Sequence, residues 1–343
     1  MRICVVGAGA IGGMVGVELA RAGEDVTFIS RGANLEAVNK NGLRLVMEDG
    51  SECLLHPVKA ADRIAEAGIQ DLVILGMKAH QVAPVARELC SLFGPDTIVV
   101  PMQNGIPWWY FQKHPGPYEG MHIEAVDPGG MIASGIEVDR VIGCVVYPAA
   151  EMIAPGVIRH NEGNRLSVGE LDGAESPRVK MVSELFRKAG FKSPVVNDIR
   201  SEIWLKLWGN LSFNPVSALT HATLVDICRF PPTRELSAKM MAEAQIIGEK
   251  LGAHFRVPLE RRIAGAEAVG AHKTSMLQDV ELGRSFEIEA LVGAVVELGR
   301  ITQTPTPHID AVHACVSLLA KSLQDARGRL RIEPMGERPP TTA

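Results

Sequence analysis

RICVVGAGAIGGMVGVELARA, residues 2–22, joins a short apolar run to a glycine-rich turn and then to a second apolar segment of helical character. RICVV suits a buried strand, Gly7 to Gly12 a tight turn, and Gly13 to Ala22 a helix. Gly7-Ala8-Gly9-Ala10-Ile11-Gly12 fits the pattern GxGxxG. The pattern is weak alone, but here it leaves a strand and opens a helix. Glycines at those spacings permit the turn and let backbone N–H groups approach a pyrophosphate at the positive end of the helix. The six residues from Gly7 to Gly12 are therefore the expected dinucleotide cradle, a purely structural turn being the alternative. Arg2 and the apolar run after it superficially match an export signal. A strand–turn–helix accounts for the same residues and for their glycine spacing, so export is rejected.

Outward from this unit, strands and helices alternate to about residue 197. DVTFIS, LRLVME, CLLHPV, DLVILGM, TIVVPM, VIGCVVYPAA, GVIRH, RLSVGE and SPVV read as strands; HQVAPVARELCSLF and PRVKMVSELFRKAG read as helices. Such alternation implies parallel strands crossed by helices. After Asp198, an expected N-cap, strand signals fade and long helical stretches follow. These are ELSAKMMAEAQIIGEKLG, LERRIAGAEAVGAH, Ser285–Arg300 and HIDAVHACVSLLAKSLQDAR. The expected organisation is an α/β Rossmann-type domain over 1–197, an all-α domain over 198–330 and a flexible tail over 331–343.

Composition narrows the partners. The 343 residues are 46% hydrophobic and 22% charged, which is ordinary for a soluble globular protein. A net charge of −5 argues against a nucleic-acid partner, which needs a basic face. The six cysteines lack CxxC pairs and metal-ligand spacing, as expected for reduced thiols in the cytoplasm, and no metal is expected. The longest uncharged stretch, Asn210 to Val225, carries Asn, Ser and Pro and does not read as a membrane span.

Two further patterns carry chemistry. NAD binders offer Asp or Glu to the ribose at the end of the second strand, whereas this chain offers Ser30-Arg31 and no acid before Glu36. A guanidinium suits a 2′-phosphate, so NADP(H) is the expected cofactor unless Arg31 is only a surface residue. In EIWLKLWGNLSFNPVSALT, residues 202–220, Lys206, Asn210 and Asn214 recur every four residues on an otherwise apolar helix. A step of four advances about 400°, which keeps the three side chains on one stripe. Burying them without partners costs several kcal/mol, so a small anionic substrate is the expected partner, or else the stripe faces solvent at a cleft mouth. Pro215 is expected to kink or end this helix near Asn214.

With GAGAIGG, SRG, GMKAHQV, MQNG, EIWLKLWGNLSFNP and SMLQDVELGRSFEIEAL in this order, the chain resembles the ketopantoate reductases over about residues 1 to 320. The resemblance implies a Rossmann domain plus an all-α domain with the active site in the cleft between them. It implies NADPH-dependent reduction of a small 2-oxo acid, 2-dehydropantoate to pantoate first of all. Position by position, it implies Lys206 as the general acid and Glu287 as the carboxylate that orients it. Asn104, Asn210, Asn214 and Ser275 become substrate-binding groups, and Asn104, Lys78 and Ala150 lie on the cofactor side. A homodimer is left open. Ser275 and Glu287 are twelve residues apart, too far along one helix to share a contact unless the chain turns near Gly283. Alternatively Ser275 is a helix cap and Glu287 a solvated side chain.

The chain also departs from the family. Residues 107–142 lengthen the connection after QNG, and Trp108, Trp109 and Tyr110 either reshape the substrate pocket or form a satellite core. His272 stands where the family often has asparagine, and FEIE replaces TEID, which leaves Glu289 as a rival to Glu287. Reduction of a different 2-oxo acid, or NADP sensing without catalysis, are the rival functions.

Overall fold

The structure is a computed structural model and describes residues 1–333. The expected tail therefore lies outside the described residues from position 334 on. The chain divides into two compact units, Met1–Lys206 and Leu207 onward.

In the first unit, β1 (Arg2–Val6), β2 (Asp25–Ile29), β5 (Lys59–Ala61), β6 (Gln70–Leu75) and β7 (Phe93–Pro101) form a five-stranded sheet in the order β5-β2-β1-β6-β7. Every pairing in it is parallel. The chain moves outward from β1 to β2 and β5, then returns to the other side of β1 for β6 and β7. The order thus reverses between β1 and β6, where an open α/β sheet leaves a crevice at its strands' carboxyl ends. Helix α1 (Ala10–Arg21) lies against the sheet through glycines. A Cβ on Gly16 would come within 2.3 Å of the Phe28 ring, and one on Gly12 within 2.2 Å of the Gly7 carbonyl oxygen. Ile3, Val5, Met14, Phe28, Leu72, Ile74 and Val100 fill the core between them. Each contributes on the order of 1.5–3 kcal/mol of burial.

Beside this sheet, β3 (Leu43–Val46), β4 (Glu52–Leu55), β9 (Ala149–Ala154) and β10 (Val157–Glu162) form a second sheet in the order β4-β3-β10-β9. β8 (Gly143–Val146) pairs only with β11 (Leu166–Gly169). The expected single strand VIGCVVYPAA is thus two strands in different sheets. Pro148, which has no N–H for a ladder bond, lies between them. HQVAPVARELCSLF is not one helix but three short 3₁₀ turns, Ala79–Gln81, Ala83–Val85 and Glu88–Leu92. Pro84 lies mid-segment, where it denies an α-helix one bond and obstructs the preceding turn. SPVV gives one isolated bridge, Val168 to Val195, instead of a strand, next to another from Arg165 to Lys192. α2 (Gly32–Asn41), α3 (Met131–Gly135) and α4 (Pro177–Lys188) complete the unit, the last followed by Gly190 at φ +91°.

Helix α5 (Ile199–Thr220) carries the chain past Lys206, and the second unit is helical throughout its described length. After α5 come α6 (Leu224–Arg229), α7 (Pro231–Lys250), α8 (Leu259–Ala268) and α9 (Ser275–Leu282). A π-helical turn, Glu289–Gly293, then runs into α10 (Ala294–Ile301), and α11 (Pro307–Asp325) follows. The Glu243 carboxylate of α7 accepts the backbone N–H groups of His308 and Ile309, each at 3.1 Å, and so satisfies the start of α11. No helix among the described residues is long and apolar enough to cross a membrane.

The close approach of α1 to the first turn yields a measurable expectation. Gly12→Ala forces a methyl group into the Gly7 carbonyl. It should cost about 1–3 kcal/mol in denaturant unfolding, as overpacking does. An unchanged midpoint would refute that contact.

Candidate active site

The glycine turn is built as the spacing requires. Gly7 adopts φ +99°, and a Cβ there would meet the Met77 backbone nitrogen at 2.8 Å. A Cβ on Gly9 would meet nothing within 4 Å, so this face of the turn is open at the N-terminus of α1. The Gly7 and Ala8 N–H groups donate to Ile29 O at 3.0 and 3.2 Å, tying the turn to the end of β2. Asn34 locks the same corner by donating to Ala8 O at 3.0 Å and to Ser30 Oγ at 2.8 Å. Arg31, the N-cap of α2, is exposed and takes part in no ion pair among the described residues. Its guanidinium therefore stands beside the positive end of a helix with no internal carboxylate to neutralise it, an arrangement that suits a phosphate.

Lys78 follows β6, and its backbone N–H donates to Gln81 Oε1 at 3.1 Å. Asn104 follows β7, next to Gln103, whose amide donates to Leu75 O at 2.7 Å and Met77 O at 3.0 Å. The glycine turn, Arg31, Lys78 and Asn104 thus follow the carboxyl ends of four neighbouring parallel strands. Ala150 is the second residue of β9, half-buried against the core of the first unit.

Helix α5 is buried nearly all round. Trp204, Leu207, Trp208 and Leu211 are at most 1% exposed, and Asn214 only 6%. Asp198 caps the helix as expected, its Oδ1 accepting the Ser201 N–H at 3.0 Å. The helix does not end near Asn214: it runs unbroken through Pro215 to Thr220. Pro215 removes the bond that Leu211 O would accept, at a cost of about 3 kcal/mol, and tertiary burial of the apolar faces outweighs it.

Lys206, half-buried on this helix, donates to Asn104 Oδ1 at 2.5 Å and to the Val146 carbonyl. The carbonyl is itself held in place. The next residue, Tyr147, donates its hydroxyl to Glu202 Oε2 at 3.1 Å, and Arg165 Nη2 donates to the same oxygen at 3.0 Å. Glu202 is one helical turn before Lys206, so one helix holds both the ammonium and the strand end that receives it. Sequence patterns gave no sign of Val146, because a main-chain acceptor has no residue signature. Glu202 carried a faint one, as an acid on an apolar helix four residues before a lysine.

In the second unit, Asn214 Nδ2 lies 3.4 Å from Ser275 Oγ. Ser275 is not the cap of α9; Thr274 is, its hydroxyl accepting the Leu277 N–H at 3.3 Å. The Asn210 side chain is half-buried and makes no hydrogen bond among the described residues. Gly283, at φ +64°, ends α9 by the turn that the spacing required. Glu287 is half-buried, whereas Glu289 is exposed, with Oε1 3.4 Å from His313 Nε2. A Cβ on Gly293 would strike Glu289 Oε2 at 2.1 Å, so glycine leaves room for that side chain on the π-helical turn.

The profile described as "Ketopantoate reductase PanE/ApbA" matches residues 3–173, and its C-terminal counterpart matches residues 198–320. The chain belongs to the ketopantoate reductase family. Among curated relatives, a 2-dehydropantoate 2-reductase of Mesorhizobium japonicum is 56% identical over 93% of this chain and 98% of its own. A solved chain from Ralstonia solanacearum, described provisionally as a ketopantoate reductase, is 44% identical with a TM-score of 0.89, covering 94% and 98%. A 2-dehydropantoate 2-reductase structure from Geobacter metallireducens is 26% identical, with a TM-score of 0.81 over 93% and 99%.

In this ketopantoate reductase, Cys144 lies on the strand that offers Val146 O. Burial pushes its thiol up to about 12, against the smaller opposing pull of the Lys206 charge. Burial likewise lifts Cys4 to about 12. Both should resist a disulfide reagent at pH 8 in the native protein, while exposed Cys90 and Cys315 react. Mass spectrometry of the labelled protein would decide; rapid labelling of Cys144 would contradict the burial.

Proposed function

We propose that Lys206 is the general acid of an NADPH-dependent reduction of 2-dehydropantoate to pantoate, an oxidoreductase reaction at a CH–OH centre. The reading rests above all on one observation, the Lys206 ammonium fixed between Asn104 Oδ1 and Val146 O beyond the end of the parallel sheet. The residues fit the dinucleotide. Of the three glycines of the turn, Gly9 alone leaves room for a Cβ, where a diphosphate could approach backbone N–H groups, and Arg31 is an uncompensated cation beside it. Lys78 and Ala150 are further cofactor-side residues. When bound, NADPH supplies a hydride to the keto carbon.

The protein's own task is the oxygen. As the carbonyl becomes an alcohol, negative charge grows on that oxygen, and a positioned N–H donor both stabilises the charge and delivers the proton. Lysine is charged at neutral pH at its ordinary value of about 10.4, so it arrives loaded. Asn104 and Val146 O accept from the charged form, which keeps the proton available and the amine in place. Asn210, Asn214 and Ser275 are proposed as substrate-side polar groups. Glu287 is the proposed second catalytic residue, supported over Glu289 because the latter faces His313 across Gly293. A cytoplasmic enzyme is part of the same reading, in keeping with its free cysteines.

Purified protein should oxidise NADPH with 2-dehydropantoate in preference to other 2-oxo acids. Lys206→Ala should lower kcat by about 10²–10⁴-fold while NADPH still binds. Retention of most turnover would remove the assigned role. Arg31→Ala should raise the KM for NADPH at least about tenfold and leave that for NADH nearly unchanged, since only the former carries the 2′-phosphate. Equal loss for both would refute the phosphate contact.

A further inference from the structure

The segment 107–142, the long connection after Asn104, is a buried aromatic block where it begins. Trp108 is 7% exposed and Trp109 2%, and Tyr110 and Phe111 are fully buried. It does not lie there as passive filling. The Tyr110 hydroxyl accepts from Trp204 Nε1 at 2.7 Å, and the two rings meet edge to face at 6.5 Å. Arg200, 9% exposed, spends its guanidinium on three main-chain carbonyls. Nε donates to Tyr110 O at 2.8 Å, Nη1 to Leu171 O at 2.5 Å and Nη2 to Gln112 O at 2.7 Å. The same guanidinium sits 5.8 Å from the centre of the Tyr110 ring. A guanidinium costs much to bury, and three carbonyl acceptors with fixed directions are what compensate it.

The location of these contacts gives them a consequence. Arg200 and Trp204 are four residues apart on α5 and share one face, while Lys206 lies about 200° around the helix from Trp204. The block therefore grips the back of the helix that presents the ammonium. Both acceptors of Lys206 are connected to the same block. Asn104 precedes Tyr110 by six residues of chain. Trp109 covers Gly143, the first residue of the strand ending at Val146: a Cβ on Gly143 would be 2.9 Å from the indole.

We propose that Tyr110 and Arg200 are positioning residues, through which the aromatic block sets the rotation of α5 and hence where the Lys206 ammonium meets Asn104 and Val146. This inference rests on Lys206 being the general acid. On this account the 107–142 segment acts on the rate of proton delivery through the helix, and it does so without touching substrate.

The test is steady-state kinetics and the pH profile of kcat for full-length Tyr110→Phe, Arg200→Lys and Arg200→Met, with Lys206→Ala as reference. Tyr110→Phe keeps the ring and removes only the acceptor for Trp204. It should lower kcat about 10- to 100-fold, the scale of a misplaced catalytic group, with KM for NADPH and 2-dehydropantoate within about twofold. The alkaline limb of kcat should move down by about half a pH unit or more, because loosened acceptors stabilise the ammonium less. Arg200→Lys, which keeps a charge and some of the carbonyl bonds, should retain more kcat than Arg200→Met. If the Arg200 variants fail to fold, Tyr110→Phe decides alone. An unchanged kcat and an unmoved limb in Tyr110→Phe, with only the melting temperature lowered, would overturn the proposal and leave the block as packing. Lys206→Ala separates the two levels. Turnover surviving that change removes the acid assignment and this inference with it, whereas turnover lost there but intact in Tyr110→Phe removes this inference alone.

Discussion

An ammonium on a helix that is apolar nearly all round is the constraint to which much of the first unit answers. Lys206 is tolerable on α5 because Asn104 Oδ1 and Val146 O meet it. Each acceptor stands at or just after the end of a strand, and each end is fixed by contacts of its own. Gln103 bonds back to the β6 end beside Asn104, while Tyr147 and Arg165 converge on Glu202 beside Val146. The rigidity of the site is therefore distributed over main-chain carbonyls, neutral side chains and the Arg165–Glu202 ion pair.

The electrostatic logic differs between the two ends of the site. At the glycine turn, attraction for an anion comes from backbone dipoles and one exposed arginine, so the chain's net negative charge does not oppose it at short range. At Lys206 the proposed attraction comes from a half-buried cation, and the acceptors Asn104 Oδ1 and Val146 O are uncharged. An amide oxygen and a peptide carbonyl compete little with an anionic substrate for that ammonium. The nearby acid, Glu202, is engaged by Tyr147 and Arg165 instead.

Much of this was legible in the sequence, and the misses have physical reasons. The glycine turn could be read because φ +99° at Gly7 and the 2.2 Å approach at Gly12 leave no other residue type comfortable there. The Lys206–Asn210–Asn214 stripe could be read because its polarity contradicts its surroundings. The corner at Gly283 was legible only as a condition, the turn needed if Ser275 and Glu287 are to approach one another. Pro84 and Pro148 are visible, but the apolar periodicity around them points to a helix and a single strand. Pro215 does not end α5, because burial of the helix outweighs a single lost bond, and no local rule reports burial. Val146 O and the three carbonyls that hold Arg200 were invisible because every residue has a carbonyl, and only the fold selects which ones converge.

The corner at the end of β2 divides structural work from recognition. Asn34 and Ser30 hold the chain there through bonds to Ala8 and to each other, and the neighbouring glycines are sterically fixed. Arg31 carries none of that load, being exposed and outside every ion pair among the described residues. On the proposed role of Arg31, the choice between a phosphorylated and an unphosphorylated dinucleotide hangs on a side chain that the fold does not require. Descendants of this sequence could exchange that arginine, and with it the pool of reducing equivalents they draw on, without first finding a compensating change elsewhere in the sheet.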